Sequence, residues 1–142
     1  MHTFFRIGLL LLLGGPVLLT GCKKDEDDVT VDPNIEINSQ LQGNWEVTSY
    51  TSDGVEYLGT IFQSLDMDFE KEGPSEGEVE MTLVDSEGST LIETTDYTVR
   101  NNGKEIDLED VMEFEIDLDG DDLQLEGIDE DGYRVVIKAD RD

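Results

Sequence analysis

Over most of the chain beyond residue 44, every second residue is apolar and the residues between are mostly acidic. Leu65, Met67 and Phe69 alternate with Asp66, Asp68 and Glu70, and Val79, Met81 and Leu83 with Glu78, Glu80 and Thr82. Met112, Phe114, Ile116 and Leu118 alternate with Glu113, Glu115 and Asp117. Ile106 and Leu108, Leu123 and Leu125, and Tyr133, Val135 and Ile137 continue the pattern. A period of two puts one set of side chains on each face of a strand, so this is antiparallel sheet with one dry and one wet face. Glycines punctuate the runs at Asp53-Gly54, Glu87-Gly88, Asn102-Gly103, Asp119-Gly120 and Asp131-Gly132, where a tight hairpin needs positive φ. Gly73-Pro74 marks a looser loop. The spacing predicts a meander of about eight short strands. Such a sheet has exposed edges unless it closes, and a small barrel removes them. The fold expected is all-β, a small antiparallel up-and-down β-barrel, with a two-layer β-sandwich as the alternative.

The N-terminus reads differently. Arg6 precedes an apolar stretch from Ile7 to Leu19, too short for a membrane span, which needs about 20 apolar residues. Leu19-Thr20-Gly21-Cys22 follows, with small residues before a thiol that can accept diacylglycerol. This patch resembles a bacterial lipobox. Residues 1–21 are read as a lipoprotein signal peptide and Cys22 as the lipidated first residue of the mature chain. Cys22-Lys23-Lys24 and the acids Asp25–Asp28 resemble the export tag of Bacteroidetes surface lipoproteins. The resemblance implies an outer-membrane protein exposed at the cell surface; the periplasmic face is the alternative. Residues 22–40 are expected to form an acidic flexible tether, with a short strand near Ile35–Ile37. A capping box at Ser39–Gln42 suggests one helical turn before Gly43. Nothing longer than one or two turns reads as helix, and the domain is expected over 41–142.

Composition then excludes several chemistries. The one His, His2, lies in the leader, and the one Cys is Cys22. The mature chain thus lacks the imidazole needed by Ser-His-Asp and Cys-His nucleophiles and the ligands of His/Cys zinc or copper sites. The chain has 36 Asp+Glu and 9 Lys+Arg. With Arg6 removed, 36 acids face 8 bases, a formal charge of −28. Nucleic acid is excluded as a partner, because phosphate binding needs a basic surface. Peripheral binding to anionic lipid is disfavoured too, so membrane attachment is expected through the lipid on Cys22. Self-repulsion on this scale destabilises a compact state at low salt. The composition resembles that of proteins from salt-loving bacteria; a merely acidic mesophilic protein is the alternative.

The patch Leu41-Gln42-Gly43-Asn44-Trp45-Glu46-Val47 places Gly-x-Trp at the start of the first strand. With the lipobox and the chain length, it resembles the lipocalin-like domains of Bacteroidetes lipoproteins. The resemblance implies that Gly43 and Trp45 plug the closed end of the barrel. The family's closing Arg corresponds to Arg134 or Arg141, and the residues do not choose between them. Thr95-Asp96-Tyr97 matches a late family motif in residues but not in place, and is read as coincidence.

Candidate sites are few. A void lined by Met67, Phe69, Met81 and Phe114 would hold a small apolar ligand. Glu93, Thr95 and Tyr97 form the best-placed polar cluster, because the parity that turns Tyr97 inward also turns Glu93 and Thr95 inward unless a bulge intervenes or they sit at the barrel mouth. Asp117, Asp119 and Asp121 offer a weak cation alternative, but the run lacks the Gly and Glu of an EF-hand and reads more simply as a type I′ hairpin. Carboxylate pairs carry no catalytic information in so acidic a chain, and no enzyme activity or cofactor is expected. The function expected is a lipid-anchored barrel binding a small apolar or amphipathic ligand. The alternative is a structural or interaction lipoprotein with a filled barrel.

Overall fold

A computed structural model describes residues 30–142. The expected leader over 1–21, Cys22 and the acidic run after it lie outside the described residues.

The first element is a helix, α1 (Pro33–Leu41), where a tether and a short strand were expected. Asp32 caps it, its side chain accepting a hydrogen bond from Asn34 N at 2.9 Å, and Pro33 occupies the first turn. This is a stronger start signal than Ser39–Gln42, because proline's missing N–H costs nothing at that position. The alternation of Ile35 and Ile37 covered only two apolar residues. The spacing that matters is Ile37 to Leu41, one helical turn, which turns both toward the core. α1 therefore occupies the last part of the segment read as tether, and the compact unit begins at Val31 rather than Leu41.

Nine strands follow: β1 (Gly43–Ser52), β2 (Val55–Glu56), β3 (Phe62–Lys71), β4 (Glu76–Asp85), β5 (Thr90–Arg100), β6 (Glu105–Leu108), β7 (Met112–Asp119), β8 (Asp122–Ile128) and β9 (Arg134–Arg141). Each pairs antiparallel with the next, except that β2 is a two-residue hairpin arm of β1, which itself pairs with β3. β9 returns to β1, with Trp45 opposite Arg141 and Ser52 opposite Val135. That pairing closes eight strands into an antiparallel barrel and excludes the sandwich. Closure joins the first long strand to the last, but β5 meets β6 only over Tyr97–Arg100, so Thr90–Thr95 are in ladder pairing on the β4 side alone.

Two register shifts re-aim side chains. One between Val47 and Ser49 in β1 lets Tyr50 follow Trp45 and Val47 onto the inner face. Another between Phe62 and Ser64 in β3 does the same for Phe62. The two rings then meet edge to face, with centroids 5.4 Å apart. The core comprises Leu41, Trp45, Met67, Phe69, Val79, Tyr97, Val99, Ile106, Phe114 and Leu125, with their inward-facing neighbours.

The two barrel ends differ. α1 lies across the end formed by the β3–β4 and β5–β6 turns. Gly103, at φ +78°, lets the β5–β6 turn approach it: a Cβ there would come within 2.6 Å of Ile37 Cγ1. Gly103 N donates to Asn34 Oδ1 at 2.7 Å. The opposite end, ringed by the β1–β2, β4–β5, β6–β7 and β8–β9 turns, carries no such lid among the described residues.

Candidate functional site

The closed end is filled. Trp45 is fully buried, and its Nε1–H donates to the Leu41 carbonyl at 2.8 Å. The Arg141 guanidinium lies 4.3 Å from the Trp45 ring centroid and donates to the carbonyls of Gln40 and Gln42. It therefore ties the C-terminal end of α1 to β9 through hydrogen bonds and a cation–π contact. Arg134 instead pairs on the outer wall with Glu126 at 2.6 Å. The choice left open by the sequence falls to Arg141. Gly43, where β1 begins, lies beside the same guanidinium.

Beneath α1 lies a polar network that the sequence reading missed. Asn38 is fully buried. Its Nδ2 faces the carbonyls of Gly73 and Pro74, each at 3.1 Å, and its Oδ1 accepts from the Tyr97 hydroxyl at 2.6 Å. Gln42 Nε2 donates to Tyr97 Oη at 3.0 Å and to the Asn38 carbonyl at 2.7 Å. Burial, partly offset by the bond from Gln42 and reinforced by the charge on Glu72, raises the Tyr97 pKa above its ordinary value. The available signal was an Asn set between Ile37 and Leu41 on an apolar helix face, where an unpaired amide would be costly.

Further up, the interior opens. A cavity of about 180 Å³ lies on the open side of Leu65. Leu65, Met81, Leu83, Leu91 and Val111 form apolar walls, and Tyr50 and Glu93 supply the polar groups. Glu93 stands directly opposite Met81, and Leu91 opposite Leu83, in an unshifted β4–β5 register. Burial, with the nearby Tyr57 and the charge on Asp129, raises the Tyr50 pKa. Around this mouth stand Val55, Ile61, Leu91, Ile92, Val111, Ile128 and Tyr133, each 46–61 % exposed. They are the large apolar side chains left exposed among the described residues, apart from Val31.

The expected ligand residues thus divide. Met81 and Glu93 line the mouth cavity. Met67, Phe69 and Phe114 lie at most 3 % exposed in packed core, away from the mouth cavity, and Phe114 instead backs a depression of about 250 Å³ walled by Glu113 and Glu126. Tyr97 belongs to the buried network. Thr95 uses its hydroxyl on the Glu109 carbonyl. No bulge turns Glu93 or Thr95 outward; the inner face simply reaches the mouth at Glu93. Leu83, Leu91 and Leu65 were legible from strand parity. Tyr50 was not, because its inward turn depends on the register shift in β1.

Four larger depressions, of about 360, 320, 260 and 250 Å³, lie elsewhere on the barrel, each with carboxylates in its walls. Asp117 and Asp119 line the second, whereas Asp121 accepts from Arg141 Nε at 3.1 Å. The cation alternative therefore does not assemble, and no group of three metal-ligand side chains comes together among the described residues. In the turn itself only Gly120 has positive φ, at 64°. That is the II′ pattern rather than the expected I′, which needs two such residues.

No protein-family model and no curated protein matches the sequence. Solved structures do match in fold. A redesigned β-barrel superposes with a TM-score of 0.57 at 20 % identity, covering 75 % of this chain and 95 % of its own. The siderocalin Ex-FABP, described as functioning through dual ligand specificities, gives 0.60 at 16 % identity, with 72 % and 74 % covered. A redesigned barrel bound to DFHBI gives 0.55 at 16 % identity, with 74 % and 98 % covered. At these identities the likeness is one of architecture: the chain folds as a lipocalin-like, eight-stranded antiparallel barrel.

Proposed function

We propose that this protein is a lipid-anchored envelope protein whose barrel binds a small apolar or amphipathic ligand at its open end. The observation that carries the reading is the division of the interior. Side chains pack the closed half solidly, while the open half leaves an apolar cavity of about 180 Å³ under an apolar rim. An apolar concavity with a few polar groups is the usual form of a small-molecule site. A cavity of about 150 Å³ suffices for benzene, so the ligand part held inside is one ring or a short chain. A siderocalin with dual ligand specificities and a redesigned barrel bound to DFHBI share the architecture, which supports a ligand role.

The anchor rests on the lipobox at Leu19–Cys22. The outer membrane, with the domain outside the cell, is the location proposed from the Lys-Lys-acid run. The solidly packed closed half favours a second reading, an interaction lipoprotein with no small ligand.

Methionine-methyl NMR separates the two. In the full chain labelled at methionine methyls, benzyl alcohol should shift the resonance of Met81, which lines the cavity, saturably. No saturable shift of Met81 at millimolar probe would refute the ligand reading.

A further inference from the structure

The chemistry of the mouth specifies the ligand's charge. Glu93 is the one carboxylate lining the cavity, and the other lining groups are apolar apart from Tyr50. Among the described residues Glu93 makes no ion pair. No base lines the cavity. The turns around the mouth carry Asp53, Glu87, Asp110 and Asp129–Asp131, and the base at this end, Arg134, is held on the outer wall by Glu126. Among the described residues, the lysines and the other arginines sit at the closed end or on the outer faces of the strands. A ligand carboxylate here would meet like charge with no donor to neutralise it, and a ligand ammonium would meet an unpaired carboxylate. The cavity admits a group of about one aromatic ring.

We infer that the mouth cavity is a site for a small organic amine, with an aromatic or short aliphatic body among Leu65, Met81, Leu83 and Leu91 and its ammonium on Glu93. This rests on the reading of the cavity as a ligand site. An exposed carboxylate–ammonium contact corresponds to about fivefold in affinity. Apolar walls that exclude water from one side raise it toward about tenfold.

Three probes with the same ring test the inference: benzylamine, benzyl alcohol and benzoate. Each is titrated into the methyl-labelled full chain at neutral pH and low ionic strength, following Met81. Benzylamine should bind about fivefold to tenfold tighter than benzyl alcohol, and benzoate weakest. In Glu93→Gln the ratio of amine to alcohol affinity should fall to about one. In Glu130→Gln, which removes an equal charge from the β8–β9 turn outside the cavity, the ratio should persist. If benzyl alcohol or benzoate binds as tightly as benzylamine, the amine assignment is overturned while the ligand site stands. A preference that survives Glu93→Gln overturns the role of Glu93, since the diffuse field of the acidic surface would then be its source. If no probe shifts Met81, the ligand site itself fails and the inference with it.

Discussion

Replacing Trp45 with Ala tests how the closed end is held. The Trp45 side chain is fully buried, so its truncation removes a whole ring from packed core, a change that costs about 3–5 kcal/mol. Two further contacts go with it. The Leu41 carbonyl at the end of α1 loses its indole donor at 2.8 Å, and Arg141 loses the ring 4.3 Å beneath it. Together the loss should reach about 4–6 kcal/mol, against a total stability on the order of 5–15 kcal/mol for a domain of this size. At about 4 °C per kcal/mol the melting temperature should fall by about 15–25 °C. Trp45 is the sole tryptophan, so the assay is urea unfolding followed by far-UV circular dichroism at fixed high salt. Trp45→Phe is the milder test, since it keeps one aromatic ring and loses the N–H and the rest of the indole, for about 2–4 kcal/mol. An Ala variant within about 1 kcal/mol of the parent would refute the reasoning, because a fully buried ring cannot be removed that cheaply.

Three other perturbations follow from the same geometry. Raising sodium chloride from about 0.1 M to about 1 M shortens the screening length from about 10 Å to about 3 Å, so the melting temperature of this chain of formal charge −27 should rise; a flat or falling curve would rule out self-repulsion as a destabilising force. Tyr97→Phe should cost about 1–3 kcal/mol by urea unfolding, because Asn38 Oδ1 then loses its 2.6 Å donor under α1; a neutral substitution would mean that the network does not hold the helix. At Glu56, burial pushes the pKa up. Hydrogen bonds from the Ser49 hydroxyl and the Tyr50, Leu58 and Tyr57 backbone outweigh it and hold the pKa below the ordinary value. A carboxylate with a depressed pKa stabilises the fold above its unfolded pKa, and that stabilisation is lost as pH falls through the folded value. Glu56→Gln should therefore be less stable than the parent at neutral pH and converge with it in acid; a difference constant with pH would exclude the charge on Glu56 as its source.

Most of the wall was readable in advance. The runs around Met67, Val79, Phe114 and Leu125 all fall in strands with the expected side inward, because a period of two is a local property that any antiparallel neighbour preserves. Hairpin positions were readable for a similar reason: Gly54, Gly88, Gly103, Gly120 and Gly132 all take the positive φ that their turns require. The β6–β7 turn escaped notice because Asp110 takes φ +62° there without a glycine. α1 was misread because two alternating isoleucines imitate a strand, while its start depends on Asp32 and Pro33 just upstream.

The sequence by itself determined that this chain makes a meander of short antiparallel strands with an acidic outer face, since patterning and turn chemistry act over a few residues. Tertiary structure alone decided three things. It placed Arg141 rather than Arg134 over Trp45, which requires β9 to close on β1. It buried Asn38, whose partners lie about 35 and 59 residues away in sequence. It also put the cavity at the mouth beside Tyr50 and Glu93 rather than among Met67, Phe69 and Phe114. An interior is filled or empty according to how side chains from opposite walls meet, and opposite walls of a barrel are set by closure and register rather than by any local pattern.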